Sequence, residues 1–212
     1  MFSKRKGEQI MKHEWRKHEK ELYGAKQSPR LVNLPKQQFI MINGKGDPNQ
    51  KEFSDKVSAL FSLAYAIKMR YKKAPTLEDI NDYTVYPLEA VWKTVDDNKI
   101  LDKNQLEYIA MIRQPNFITE NMFLTALEHT SRKKPNALYE QIYFETIPAE
   151  NCVEILHIGA YDDEPISFQK MDLFAKETNV KRSKNYHREI YLNNENRVSK
   201  DKLKTILRYP IE

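Results

Sequence analysis

One short segment, Tyr186-His187-Arg188-Glu189-Ile190-Tyr191, concentrates the chemistry of this 212-residue chain. Its composition reads as a strand, and the period of two puts His187, Glu189 and Tyr191 on one face. A carboxylate between an imidazole and a phenol can pair with a cationic ligand. It can also act as a general base toward water, or stabilise a developing positive charge. Burial among aromatic rings raises such a carboxylate's pKa and eases proton transfer near neutral pH. A solvated glutamate on the polar face of a half-exposed strand, paired with a nearby lysine or arginine, fits the same residues, and the pattern leaves both readings open.

Further candidates lie in earlier segments. Tyr86-Pro87-Leu88-Glu89-Ala90-Val91 aligns with the Glu189 strand at an offset of 189 − 89 = 100, which puts Glu89 in the matching place. Strict alternation sends Glu89 to the face opposite Leu88, Ala90 and Trp92, although Pro87 can shift the register. Trp92, Tyr108 and Tyr161 are candidate ligand contacts, and each reads equally well as core. His157 closes a strand just before Gly159, where it either bonds into the same cleft or caps the turn. Brought together, Trp92, Tyr108, Tyr161 and Glu189 would line an apolar, aromatic cavity. Such a cavity suits a flat or cationic organic molecule through stacking and cation–π contacts.

Several other chemistries are excluded or disfavoured. His13-Glu14-Trp15-Arg16-Lys17-His18 is one residue too long for the zinc-protease helix. A separation of five residues is about 500° of helix, so the imidazoles diverge by about 140°. No metal site is expected. The sole cysteine, Cys152, has no activating neighbour and reads as a buried structural thiol; it allows no intramolecular disulfide. Gly44-Lys45-Gly46 lacks both the third glycine of a dinucleotide fingerprint and the ending of a phosphate loop, so no nucleotide cofactor is expected. The formal net charge is +5, but the excess sits in the N-terminal tail and in short runs such as Lys72-Lys73 and Arg132-Lys133-Lys134. Without a basic stripe interleaved with aromatics, nucleic acid is not the favoured partner. No signal-peptide pattern and no apolar run of membrane-spanning length is present, and the expectation is a soluble cytoplasmic protein.

These residues need a scaffold, and the sequence repeats one. Asn43-Gly44-Lys45-Gly46-Asp47-Pro48-Asn49 and His157-Ile158-Gly159-Ala160-Tyr161-Asp162-Asp163-Glu164-Pro165 both follow an apolar strand and lead into an amphipathic helix. Gly44 aligns with Gly159 and Phe53 with Phe168, since 159 − 44 = 168 − 53 = 115. The first copy, about 36–113, reads as a strand over Lys36–Ile42, a helix from Asp47-Pro48 to about Tyr71, and strands over Tyr83–Trp92 and Gln105–Arg113. Ala74-Pro75-Thr76 ends the helix, and Asp96-Asp97-Asn98 turns between the strands. A helix from Thr119 to about Ser131 and a strand over Tyr139–Ile147 link the copies (about 116–147). The second copy, about 151–210, has a strand over Cys152–Ile158, a helix from Pro165 to Glu177, and strands over Tyr186–Leu192 and Lys204–Tyr209. Residues 1–28 form a charged extension with a helix from Glu8 to Tyr23 that ends at Gly24. The predicted fold is α+β: two strand–helix–strand–strand repeats in a largely antiparallel sheet, helices on one face, and a ligand cleft at the pseudo-two-fold axis.

The His-Ile-Gly turn at 157–159, His187-Arg188-Glu189-Ile190-Tyr191-Leu192, Lys202-Leu203-Lys204-Thr205-Ile206-Leu207-Arg208, and Asp82-Tyr83-Thr84-Val85-Tyr86-Pro87-Leu88-Glu89 together resemble the stand-alone GyrI-like proteins over residues 29–212. The resemblance implies a small-molecule cleft between the two units, with Glu189 at the position of the family's pocket glutamate. It implies as ligand a hydrophobic or cationic small molecule, and as activity, in some members, hydrolysis of strained cyclopropane rings in DNA-alkylating compounds. On that reading Glu189 is catalytic, and Trp92, Tyr108, Tyr161, His157, His187 and Glu89 bind the ligand. The alternatives are a non-enzymatic drug-sequestering or sensor module, and a gyrase-interacting protein that uses the basic N-terminal helix. Ala160 stands where relatives often have proline, and Lys93 where they often have a second aromatic.

Overall fold

The computed structural model describes residues 12–72, 82–93 and 103–212. Among the described residues, two short helices come first, α1 (Trp15–His18) and α2 (Lys20–Tyr23), followed by β1 (Arg30–Leu34). The first repeat is β2 (Gln37–Lys45), α3 (Lys51–Tyr71), β3 (Leu88–Lys93) and β4 (Glu107–Gln114). After it come α4 (Glu120–Lys133) and β5 (Tyr143–Ile147). The second repeat is β6 (Glu150–Ile158), α5 (Glu164–Glu177), β7 (Tyr186–Tyr191) and β8 (Lys204–Pro210). The expected helix stop at Ala74-Pro75-Thr76, the turn at Asp96-Asp97-Asn98 and the helical start at Glu8 lie outside the described residues.

Local chemistry moves several boundaries. Asp47 does not cap α3; its carboxylate accepts from the Asn49 backbone at 2.9 Å, which makes a turn ahead of a helix that starts at Lys51. Thr119 does cap α4, accepting from the Met122 backbone at 3.3 Å. Tyr139 lies in a 3₁₀ turn rather than a strand, because Asn136 accepts from the Leu138 backbone and starts that turn. The N-terminal helix is broken at Glu19, whose backbone is non-helical. The reason lies in the sheet: Glu19 turns inward to bond Arg113, Tyr86 and His13.

Among the described residues, eight strands form one antiparallel sheet in the order β1-β6-β8-β7-β3-β4-β2-β5. The middle strands of the two repeats, β3 and β7, pair with each other, so the pseudo-two-fold axis passes between them. The registers correct the alignment of the two middle strands. Ile40 opposes Ile112, which opposes Leu88. In the second repeat Ile155 opposes Leu207, which opposes Glu189. With 155 − 40 = 115, the position equivalent to Glu189 is Leu88, and the offset is 189 − 88 = 101. One residue of slip sends a side chain to the other face of a sheet, so Glu89 and Glu189 point in opposite directions.

On the Glu189 face, α3 buries Leu60, Leu63, Ala64 and Ile67 in a core with Ile40, Ile42, Ala110 and Ile112. There α5 packs Met171 and Ala175 with Val153, Ile155, Leu207 and Tyr209. Thus α3 and α5 flank the axis, one from each repeat.

The opposite face carries a layer of buried charges closed by α1 and α2. Arg188 Nε donates to Glu89 Oε2 at 2.6 Å, and Glu89 is fully buried. Arg208 and Arg30 each donate to Glu154 at 2.7 Å. The Trp15 indole donates to the Val85 carbonyl at 3.0 Å, and the Tyr23 hydroxyl reaches Glu89. Burial works against the charge of Glu19, yet Arg113, Tyr86 and His13 hold its carboxyl below the usual range. Cys152 is buried here as well, and burial pushes its thiol up to about 12, well clear of reactivity at neutral pH. No described helix is long and apolar enough to cross a membrane.

Candidate functional site

Glu189 sits on the helix-covered face of β7 and is 8% exposed. Both of its oxygens are engaged: His187 Nε2 lies 2.8 Å from Oε1, and the Tyr191 hydroxyl donates to Oε2 at 2.6 Å. The Trp92 indole N–H in turn donates to the Tyr191 oxygen at 3.1 Å. A relay therefore runs from β3 across the pseudo-two-fold axis to the carboxylate. Tyr191 keeps its proton, since burial and then the neighbouring Glu189 raise its pKa well above the ordinary phenol value.

Aromatic rings close over this relay. Tyr161, in the turn before α5, meets Tyr191 edge-on at 5.9 Å between centroids. Phe168 on α5 meets the His187 ring at 4.8 Å. From α3, Phe53 stacks on Trp92 at 6.0 Å and meets Tyr108 edge-on at 5.0 Å, and Trp92 and Tyr108 are 5.1 Å apart. Phe53 and Phe168, matched at the repeat offset of 115 from the sequence, thus guard the two sides. The Lys56 ammonium lies over the Tyr108 ring at 5.8 Å and is tied to Glu52 at 2.7 Å. Burial, then the Glu52 charge, push the Tyr108 phenol up to about 12. Tyr108 lies flat across the neighbouring strand because its partner there is Gly44; a Cβ on Gly44 would overlap the Tyr108 ring.

The structure therefore brings Trp92, Tyr108, Tyr161, His187 and Glu189 together. It leaves out Glu89, which pairs with Arg188 on the far face. His157 is also committed elsewhere. Its Nε2 bonds the Ala160 carbonyl and its Nδ1 bonds the Ser167 hydroxyl, both at 2.9 Å. A carbonyl only accepts, so Nε2 carries the hydrogen and Nδ1 accepts from Ser167. Of the two sequence readings, the geometry is that of a clamp on the turn, where Gly159 takes a φ of +142°. Grooves of about 390 and 420 Å³ lie along Arg70, His129 and Arg132 and along Glu52, Asp55 and Asn136, away from Glu189. Above the acid, the rings pack against each other.

The sequence reading missed Glu164. It opens α5 beside Pro165, is 7% exposed, and lies with its carboxyl against that of Glu189. Burial, and after it the Glu189 charge, push the Glu164 carboxyl well up, which favours its neutral form. A glutamate in the first turn of a helix reads as a partner of the helix dipole, which hid its burial. The repeat gave no hint either, because the equivalent position, 164 − 115 = 49, is an asparagine, Asn49. Among the described residues, no cluster of His, Cys, Asp and Glu is arranged to hold a metal ion.

Comparisons with known proteins place this fold in a family. The description of GyrI-like small-molecule-binding domains matches residues 27–212. A hydrolase from Listeria innocua is 29% identical, with 95% of this chain and 100% of that chain covered and a TM-score of 0.85. An uncharacterised conserved protein from the same organism is 30% identical at the same coverage, with a TM-score of 0.86. The EcmrR C-terminal domain shares the fold at 16% identity, covering 87% of this chain and 97% of that domain, with a TM-score of 0.51. A comparison with curated protein sequences finds no match. The chain belongs to the GyrI-like small-molecule-binding domain family.

Proposed function

We propose that this protein binds electrophilic, aromatic small molecules and hydrolyses a strained cyclopropane ring in them, with Glu189 as the catalytic base. The observation that carries the reading is the setting of Glu189: a buried carboxyl held by His187 and Tyr191 beneath Trp92, Tyr108 and Tyr161. Likeness at 29% identity to a Listeria innocua protein described as a hydrolase supports it. Trp92 and Tyr108 offer faces on which a planar ring system can stack, and Tyr161 orients it from the second repeat. Entry requires the partly exposed rings of Phe53, Tyr161 and Phe168 to swing outward. Closure afterwards expels water and strengthens each electrostatic contact inside.

In the reaction, a water oxygen bonds to a ring carbon and the strained C–C bond breaks. The released electron pair passes to a conjugated carbonyl oxygen, which is protonated from solvent, while Glu189 takes the proton of the attacking water. Water is thereby added across the bond, with no redox partner. The test is incubation of purified protein with a cyclopropane-bearing DNA alkylator, read by mass spectrometry for the ring-opened alcohol. Glu189→Gln should lower turnover by about 10²–10⁴-fold. Turnover unchanged in that variant would remove the mechanism. The acid pair and aromatic walls equally suit capture of a planar cation without chemistry. Tight binding with no product formed would favour that reading.

A further inference from the structure

We propose that Glu164 and Glu189 hold one proton between them and release it to solvent when an organic cation enters among the rings, so that the site exchanges a proton for a cation. The inference rests on the reading of this site as a small-molecule pocket, and it adds a residue and a pH dependence to it. The carboxyls come from different elements, the start of α5 and the middle of β7, and are 7% and 8% exposed. Glu164 Oε1 is buried and has no hydrogen-bond partner among the described residues.

Among the described residues, the groups facing the pair come from several elements. Strand β7 supplies His187 and Tyr191, and the turn before α5 supplies Tyr161 and Asp162. The segment after β7 brings Glu195 near Tyr161, and β3 supplies the uncharged Trp92 indole. His157 of β6 is fully engaged with Ser167 and Ala160, and Lys56 of α3 is tied to Glu52. No lysine or arginine bonds to the pair among these groups, and His187 is the basic side chain in contact. Two carboxyls in contact in a water-poor site cannot both ionise without a counter-charge. The elevated titration of Glu164 is consistent with this arrangement. A permanent cation stacked on Trp92 and Tyr108 supplies that charge and favours loss of the shared proton. No other bond is made or broken.

The experiment titrates the full chain with N-methylacridinium, a planar cation with no proton of its own, in buffers of different ionisation enthalpy. The expected result is release of about one proton per cation near neutral pH, and an affinity that rises about tenfold per pH unit. Glu164→Gln should still bind, release no proton and lose the pH dependence. Binding by the unaltered protein without proton release overturns the inference, as does release that persists in Glu164→Gln. A ligand-free readout separates this from failure of the pocket reading. In a ¹³C-carboxyl NMR titration, one glutamate resonance should titrate far above the ordinary carboxylate range and vanish in Glu164→Gln. If both carboxyls titrate in the ordinary range, the shared proton is refuted even where the cation binds. If the resonance is present but no cation binds, the pocket reading fails and with it the exchange.

Discussion

Replacing Glu164 by glutamine should make the protein more stable, and the gain should depend on pH. In the unfolded chain this carboxyl titrates near 4.5, and burial beside Glu189 raises it well above that in the folded protein. A raised carboxyl binds more protons when folded than when unfolded, so stability falls as pH climbs from the lower value through the higher. At pH 7 the unfolded side chain is ionised, while the folded one favours its neutral form. The interval of about 2.5 units, at about 1.4 kcal/mol per unit, amounts to a penalty on the order of 3 kcal/mol. Glutamine has nearly the same shape and carries no such penalty. Urea unfolding of both proteins across a pH series measures the difference. The variant and the original should match near pH 4 and diverge by about 1.4 kcal/mol per unit above it. A difference that does not change with pH, or a variant that is less stable at neutral pH, refutes the assignment of a neutral, buried Glu164. A native residue that works against the fold in this way fits a binding site better than a structural role.

Two further outcomes test the scaffold. Arg188→Met leaves the fully buried Glu89 without its cation and should cost about 3–5 kcal/mol in urea unfolding, while adding Glu89→Gln should restore part of it. No restoration would mean that Arg188 acts through packing on Phe39 instead. Gly44→Ala forces the Tyr108 ring off its neighbouring strand, and the Trp92 fluorescence and small-molecule affinity should change together while the fold persists. Unaltered fluorescence and affinity would show that Tyr108 does not shape the site.

Much of the site was legible along the chain because period two is a local property. His187, Glu189 and Tyr191 share a face for the same reason that any alternate strand residues do. The glycine turns and helix faces, repeating at 115, disclosed the duplicated half-fold before any contact was known. Register between strands is not local. A single residue separates offsets of 100 and 101, and that residue decides that Leu88, not Glu89, mirrors Glu189. Glu89 was thereby removed from the pocket to a salt bridge with Arg188. The break at Glu19 was equally invisible, since its cause is Arg113, 94 residues away.

The amino-acid sequence determined which side chains ride on each face of each strand, and that two similar units must meet. Only the tertiary structure decided that the first residue of α5 would lie against the middle of β7, so that two acids share a space with too little water for both charges. That outcome depends on how far a helix leans over a sheet. Helix lean is set by packing between elements distant in sequence, which no short window of residues contains.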